Sequence, residues 1–170
     1  MAEANGTARR ILGIDPGLTI TGYGVLEFSP SRPILCEAGI IRTADDNAIG
    51  MADRVLSVYK GIVDVVVQFD PEAVAVEQLY AHYNHPRTAI LMGHARGVIF
   101  LAAAQQDIPV VSYASTQVKK IVTGNGRASK DQVQRTIQRE LGLAAMPDPP
   151  DVADALAVAL CHYYQQKLPA

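Results

Sequence analysis

The chain has 170 residues, 49% hydrophobic and 19% charged, which suits one domain with a full core and excludes a predominantly disordered polypeptide. No stretch of ~18 apolar residues is available to cross a bilayer, and the opening MAEANGTARR lacks the apolar run of a secretion signal, so a cytoplasmic protein is expected. The net charge of −2 and pI near 6.0 exclude a chain that is basic throughout.

Residues 1–8 read as a flexible lead-in, 9–166 as a single domain and 167–170 as a tail. Arg9–Asp15 is a short apolar run ending in an acid and broken by Pro16-Gly17, the pattern of a buried strand and turn. Gly22–Phe28 and Ile34–Thr43 are two further strands, and the short connections predict an antiparallel meander. A helix follows, with Asp45, Asp46 and Asn47 as capping residues and Ala52, Val55, Tyr59 and Val66 at helical spacing up to Pro71. Glu72–Gln78 is a strand, Pro86 opens a second helix running to about Gln106, and Ile108–Tyr113 is a fifth strand. The remainder is helical, over 115–122, 129–141 and 151–166, with GNGRA and MPDPP as breaks. Three strands, helix, strand, helix, strand and then helices describe an α/β protein with a five-stranded mixed sheet flanked by helices. That is the order of the ribonuclease H-like fold.

Four acids stand where chemistry collects. Asp15 ends the first strand, Glu77 ends the fourth, and Asp151 and Asp154 share a face at the start of the last helix. In open α/β sheets ligands gather beyond the carboxyl ends of the strands. Carboxylates ~4 Å apart repel by about 4 kcal/mol at an effective dielectric near 20. Four of them converging must therefore protonate or share cations, and hard divalent ions such as Mg2+ or Mn2+ take oxygen ligands. Two such ions ~3.5–4 Å apart can activate a water for phosphodiester hydrolysis. Each acid also has a simpler reading, as turn, strand-end charge or helix cap. Residues 115–140 hold six Lys and Arg against Asp131 and Glu140, a local basic face suited to phosphates despite the acidic total. Cys36 and Cys161 form no C-x-x-C pair and read as small buried hydrophobes, while His82, His85 and His94 lack the spacing of a zinc site.

The motifs are also familiar as a set. GIDPGLTITGYGV, AVEQLY, GHARGV, QVKK, SKDQV and DVADALAVA occur in this order between Arg10 and Cys161, and together they resemble the RuvC Holliday-junction resolvases. The resemblance implies a homodimeric endonuclease that makes paired symmetric nicks in four-way DNA junctions during recombination and repair, and acts with the RuvA and RuvB proteins. It implies Asp15, Glu77, Asp151 and Asp154 as catalytic ligands of Mg2+ or Mn2+, two ions per site during catalysis. It also implies Lys119 and Lys130 near the scissile phosphate, where positive charge favours the transition state. Tyr80 falls where the family has an aromatic, which could stack on an unpaired base or pack in its loop; Arg87 is a candidate phosphate contact. Ala89, Gly93 and Gly97 recur every four residues on the second long helix, a small face that could serve the dimer or the protein's own sheet. An actin-like ATPase would need a second domain around its nucleotide. A hybrid-cutting nuclease or a catalytically inert junction scaffold fits the six motifs and intact acids less well.

Overall fold

The computed structural model describes residues 8–43, 49–79 and 85–167. Five strands, β1 (Arg10–Asp15), β2 (Ile20–Glu27), β3 (Ile34–Arg42), β4 (Ala73–Glu77) and β5 (Val110–Tyr113), form one sheet in the order β3-β2-β1-β4-β5. β1, β2 and β3 are the expected antiparallel meander, while β4 runs parallel to both β1 and β5. The central strands are apolar on both faces because both are covered: Ile11 and Ala75 point to one layer, and Leu12, Ile14, Val74 and Val76 to the other.

Helices α1 (Met51–Phe69) and α2 (Pro86–Ala104) cover the second of these faces. The first carries α3 (Ser115–Thr123), α4 (Lys130–Leu141) and α5 (Pro150–Lys167). α1 opens at Met51 with Gly50 in the cap position and no side-chain cap, so the expected acidic cap is replaced by a glycine; Asp45, Asp46 and Asn47 lie outside the described residues. α4 has a full capping box, with Ser129 accepting from the Gln132 amide and Gln132 returning a bond to the Ser129 amide. Cys161 is buried and Cys36 only half-buried, beside Glu27, and both are free thiols.

α5 is the most buried of the helices, with Val152 to Tyr163 inside apart from Asp154. It lies directly against β1 and β2 because glycines let it. A Cβ on Gly13 would stand 2.2 Å from the Ala155 carbonyl oxygen, and one on Gly22 would stand 2.1 Å from that of Asp151. Gly13 and Gly24 are paired across the two strands, and a Cβ on Gly24 would meet the Leu156 side chain at 2.5 Å. These glycines form a trough that seats the helix backbone on the sheet.

The glycines of α2 behave differently. Gly93 and Gly97 are exposed, with nothing within 4 Å of their Cβ positions. Packing on the protein's own sheet therefore does not account for this small face. Ile90 (61% exposed), Phe100 (37%) and Leu101 (51%) share the outward side of the helix with them.

Gly13→Ala should destabilise the protein by about 2–4 kcal/mol, since backbone rather than a flexible side chain occupies the space. Urea denaturation measures this, and a loss below about 0.5 kcal/mol would show that α5 can lift away.

Candidate active site

Side chains alternate along a strand, so Ile11, Gly13 and Asp15 share one face of β1, as do Ala73, Ala75 and Glu77 on β4. Ile11 and Ala75 pack in the layer that holds α5, which puts Asp15 and Glu77 on the same side. The parallel register pairs Ile14 with Val76, so the two acids stand side by side one residue further on, at the carboxyl ends of neighbouring strands. The glycine trough brings the first turn of α5 to the same place. Asp15, Glu77 and Asp154 line one cavity together with Lys119 from α3 and Lys130 from α4. Asp151 lines the adjoining hollow with Gly17 to Ile20, yet its charge still acts on Asp15.

The electrostatic cost is visible. Burial, followed by the charges of Asp154, Asp151 and Glu77, pushes the Asp15 carboxyl from 3.8 up to about 7, while Lys130 works in the opposite direction. Glu77 is also raised, mainly by burial; a hydrogen bond from Ser115 resists that rise, as do the charges of Lys119 and Lys130. Lys130 donates to Asp154 at 2.9 Å, and this bond raises its pKa and keeps it protonated. The pair is well exposed, at 60% and 37% of the two side chains, so it contributes at most about 1 kcal/mol and separates easily.

All four acids offer hard oxygen donors, the kind divalent Mg2+ and Mn2+ take. Asp15 is moreover a half-buried carboxyl that ionises at neutral pH only against its neighbours' repulsion, which a cation would relieve. As they stand, no three His, Cys, Asp or Glu side chains among the described residues are arranged to hold an ion. Asp154 is turned to Lys130 instead. The donor chemistry fits a metal, and Asp154 keeps its second carboxylate oxygen clear of the Lys130 bond.

Arg87 is exposed in the first turn of α2 and does not line the cavity. Tyr80 and His82 lie outside the described residues. His85 and His94 are exposed and stand apart from the acids. Two groups escaped the sequence reading. Ser115, the first residue of α3, lines the cavity with Glu77 and favours its charged form. Arg96 lines the cavity from α2 and donates to the Glu77 backbone carbonyl. Arg96 sits inside the GHARGV motif, so its position was marked although its partner was not.

Carboxylates from two parallel strands and a helix, facing two lysines at the edge of this sheet, define a nuclease of the ribonuclease H-like class. The family model described as crossover junction endodeoxyribonuclease RuvC matches residues 11–162. A Rhodopirellula baltica protein of that name is 48% identical over 94% of this chain and 88% of its own length. One from Desulforamulus reducens is 46% identical over 89% of this chain and 91% of its own. Among solved structures, that of T. thermophilus RuvC in complex with Holliday junction substrate superposes with a TM-score of 0.86 at 33% identity, covering 94% of this chain and 96% of the other. The yeast mitochondrial resolvase Ydc2, at 16% identity and a TM-score of 0.65, shares the fold. The chain belongs to the RuvC family of crossover junction endodeoxyribonucleases. It is therefore an endodeoxyribonuclease, of a family that depends on divalent metal. Among the described residues no helix is long and apolar enough to cross a membrane.

The Asp15 shift carries a stability consequence. In the unfolded chain Asp15 releases its proton near 3.8, and in the fold near 7. Between these values the native state holds the extra proton, so without divalent ions stability falls as pH rises through this window. Asp15→Asn should stabilise the metal-free protein at pH 8 by roughly 1–3 kcal/mol and leave it unchanged near pH 3. Denaturation in EDTA at both pH values tests this; an equal effect at both would remove the charge repulsion as its cause.

Proposed function

We propose that this protein resolves four-way DNA junctions by paired symmetric nicks, with Asp15, Glu77, Asp151 and Asp154 as its catalytic metal ligands. The observation that carries the reading is the gathering of Asp15, Glu77 and Asp154 with Lys119 and Lys130 in one cavity at the carboxyl edge of β1 and β4. Mg2+ or Mn2+, two ions per site during catalysis, would supply Lewis acidity to the scissile phosphodiester and a nucleophile at neutral pH. The protein's own residues do the rest. Asp15 and Glu77 stand on rigid strands, so their separation is set by the sheet. Asp154 stands on a seated helix and, together with Asp15 and Glu77, would hold the cation. Lys130, protonated and largely exposed on the rim of the cavity, would face the phosphate, where its charge would favour the phosphorane-like transition state over the ground state. Lys119 adds a second positive charge on the same side and draws the DNA backbone to the acids.

The outward face of α2 supports a homodimer. Ile90, Gly93, Gly97 and Leu101 recur at helical spacing, and the bare glycines admit close approach of a second helix. A twofold pair of sites matches a substrate with two equivalent strands to cut. Arg87, exposed at the start of this helix, is proposed as a contact to junction phosphates. Tyr80, four residues after the apolar Val76 and three after Glu77, is proposed to stack on an unpaired base at the crossover. By extension of the same reading, we propose a cytoplasmic protein that acts with the RuvA and RuvB branch-migration proteins.

The direct test is incubation with a labelled four-way junction, a linear duplex and an RNA–DNA hybrid, with and without Mg2+ or Mn2+. Paired nicks confined to the junction and to the metal-containing reactions are expected; hybrid cleavage in preference would overturn the assignment. Asp15→Asn should abolish cutting, a loss of more than a thousandfold, while junction binding survives. Lys130→Ala should slow cleavage at saturating DNA by about a hundredfold with less than a threefold loss of binding. Equal losses would reduce it to an ordinary phosphate contact. Gly97→Arg should keep the fold, since its Cβ faces open space, and sediment as a monomer. A Gly97→Arg protein that still sediments as a dimer would place the interface elsewhere.

A further inference from the structure

Arg96 has an environment that neither DNA contact nor ordinary surface charge accounts for. It is half-buried on α2, pairs with no carboxylate among the described residues, and reaches the sheet from the layer opposite α5. Its guanidinium donates through Nη1 to the backbone carbonyl of Glu77 and through Nη2 to Ser112 Oγ at 3.3 Å. Its other face stacks on the Phe100 ring, 4.9 Å from the centroid.

The backbone explains why Glu77 needs this donor. The Gln78 amide donates to Tyr113 on β5 at 2.8 Å. In a trans peptide the carbonyl points opposite to the amide, so the Glu77 carbonyl faces away from β5, toward β1. In the parallel ladder its next partner there is the amide of residue 16. Residue 16 is proline, which has no N–H. The Pro16 turn that ends β1 just after Asp15 thus leaves the carbonyl of the neighbouring acid without a strand partner, at the point where Glu77 must be held.

We infer that Arg96 is a positioning residue for the metal centre: it replaces the ladder bond that Pro16 denies to Glu77 and so fixes the direction of the Glu77 carboxylate. This rests on the proposed ligand role of Glu77. Because the guanidinium also leans on Phe100, which is partly exposed on the outward face of α2, the contact ties the site to that face.

The experiment is a Mn2+ titration of the metal-free protein, following free Mn2+ by electron paramagnetic resonance, alongside the Mn2+ dependence of junction cleavage. Arg96→Gln should weaken Mn2+ binding about tenfold and raise the Mn2+ needed for half-maximal cleavage by a similar factor, with metal-free junction affinity within twofold of wild type. Arg96→Lys, which restores one donor, should recover part of the loss and guards against a fold defect in Arg96→Gln. In a Glu77→Gln background, Arg96→Gln should cause no further loss of Mn2+ affinity. Full additivity of the two substitutions, or unchanged Mn2+ affinity in Arg96→Gln, would overturn the inference while leaving the metal reading intact. A wild-type protein that binds no Mn2+ would instead overturn the ligand assignment itself.

Discussion

The close approach of one helix to two strands governs this molecule. α5 can deliver its acids to the edge of the sheet only if its backbone sits within contact of β1 and β2, and side chains on the strands would hold it off by several ångströms. Gly13, Gly22 and Gly24 remove those side chains on the one face where α5 lies. Their absence costs packing area and backbone entropy, which the nearly complete burial of Val152 to Tyr163 offsets. Everything at the site follows from this seat: Asp154 reaches the cavity of Asp15 and Glu77, and Asp151 lies close enough to add to the Asp15 shift.

The site is held in a state of electrostatic frustration that the fold tolerates because its scaffold is rigid. Two acids stand at the ends of central, doubly covered strands and cannot move apart. The lysines answer part of the repulsion from neighbouring helices: Lys130 from the first turn of α4, where it meets Asp154 in a solvent-exposed pair, and Lys119 from α3. The anions are fixed by the sheet, whereas the Lys130 side chain reaches them from a solvent-exposed position.

α2 serves two surfaces at once. Its inward side packs Ala95, Ile99, Ala102 and Ala103 into the core. Its outward side is apolar and stripped of side chains at Gly93 and Gly97. Arg96 lies between them, with its guanidinium hydrogen-bonded to the Glu77 carbonyl and stacked over the Phe100 ring. Such a helix shows little amphipathic contrast in its sequence, because apolar and small residues stand on both its buried and its exposed sides.

The order of elements, the meander and the strand-end and helix-start positions of the four acids were legible in the sequence, because strand alternation, Pro and Gly breaks and helical spacing are local properties. So was the basic character of residues 115–140. The start of α1 at Met51 was not, since a polar triplet advertises a cap whether or not the helix begins there. Tertiary structure alone decided that Asp151 lines a neighbouring hollow while Asp154 enters the main cavity, because the rotation of α5 on its trough is set by backbone contacts with distant glycines. It also decided that Gly13 receives a helix whereas Gly93 faces open space, and that Arg96 finds a carbonyl rather than a carboxylate. A residue's type is written locally, but its partner depends on which strand end the chain brings beside it. Here that partner was left open by a proline eighty residues earlier in the sequence.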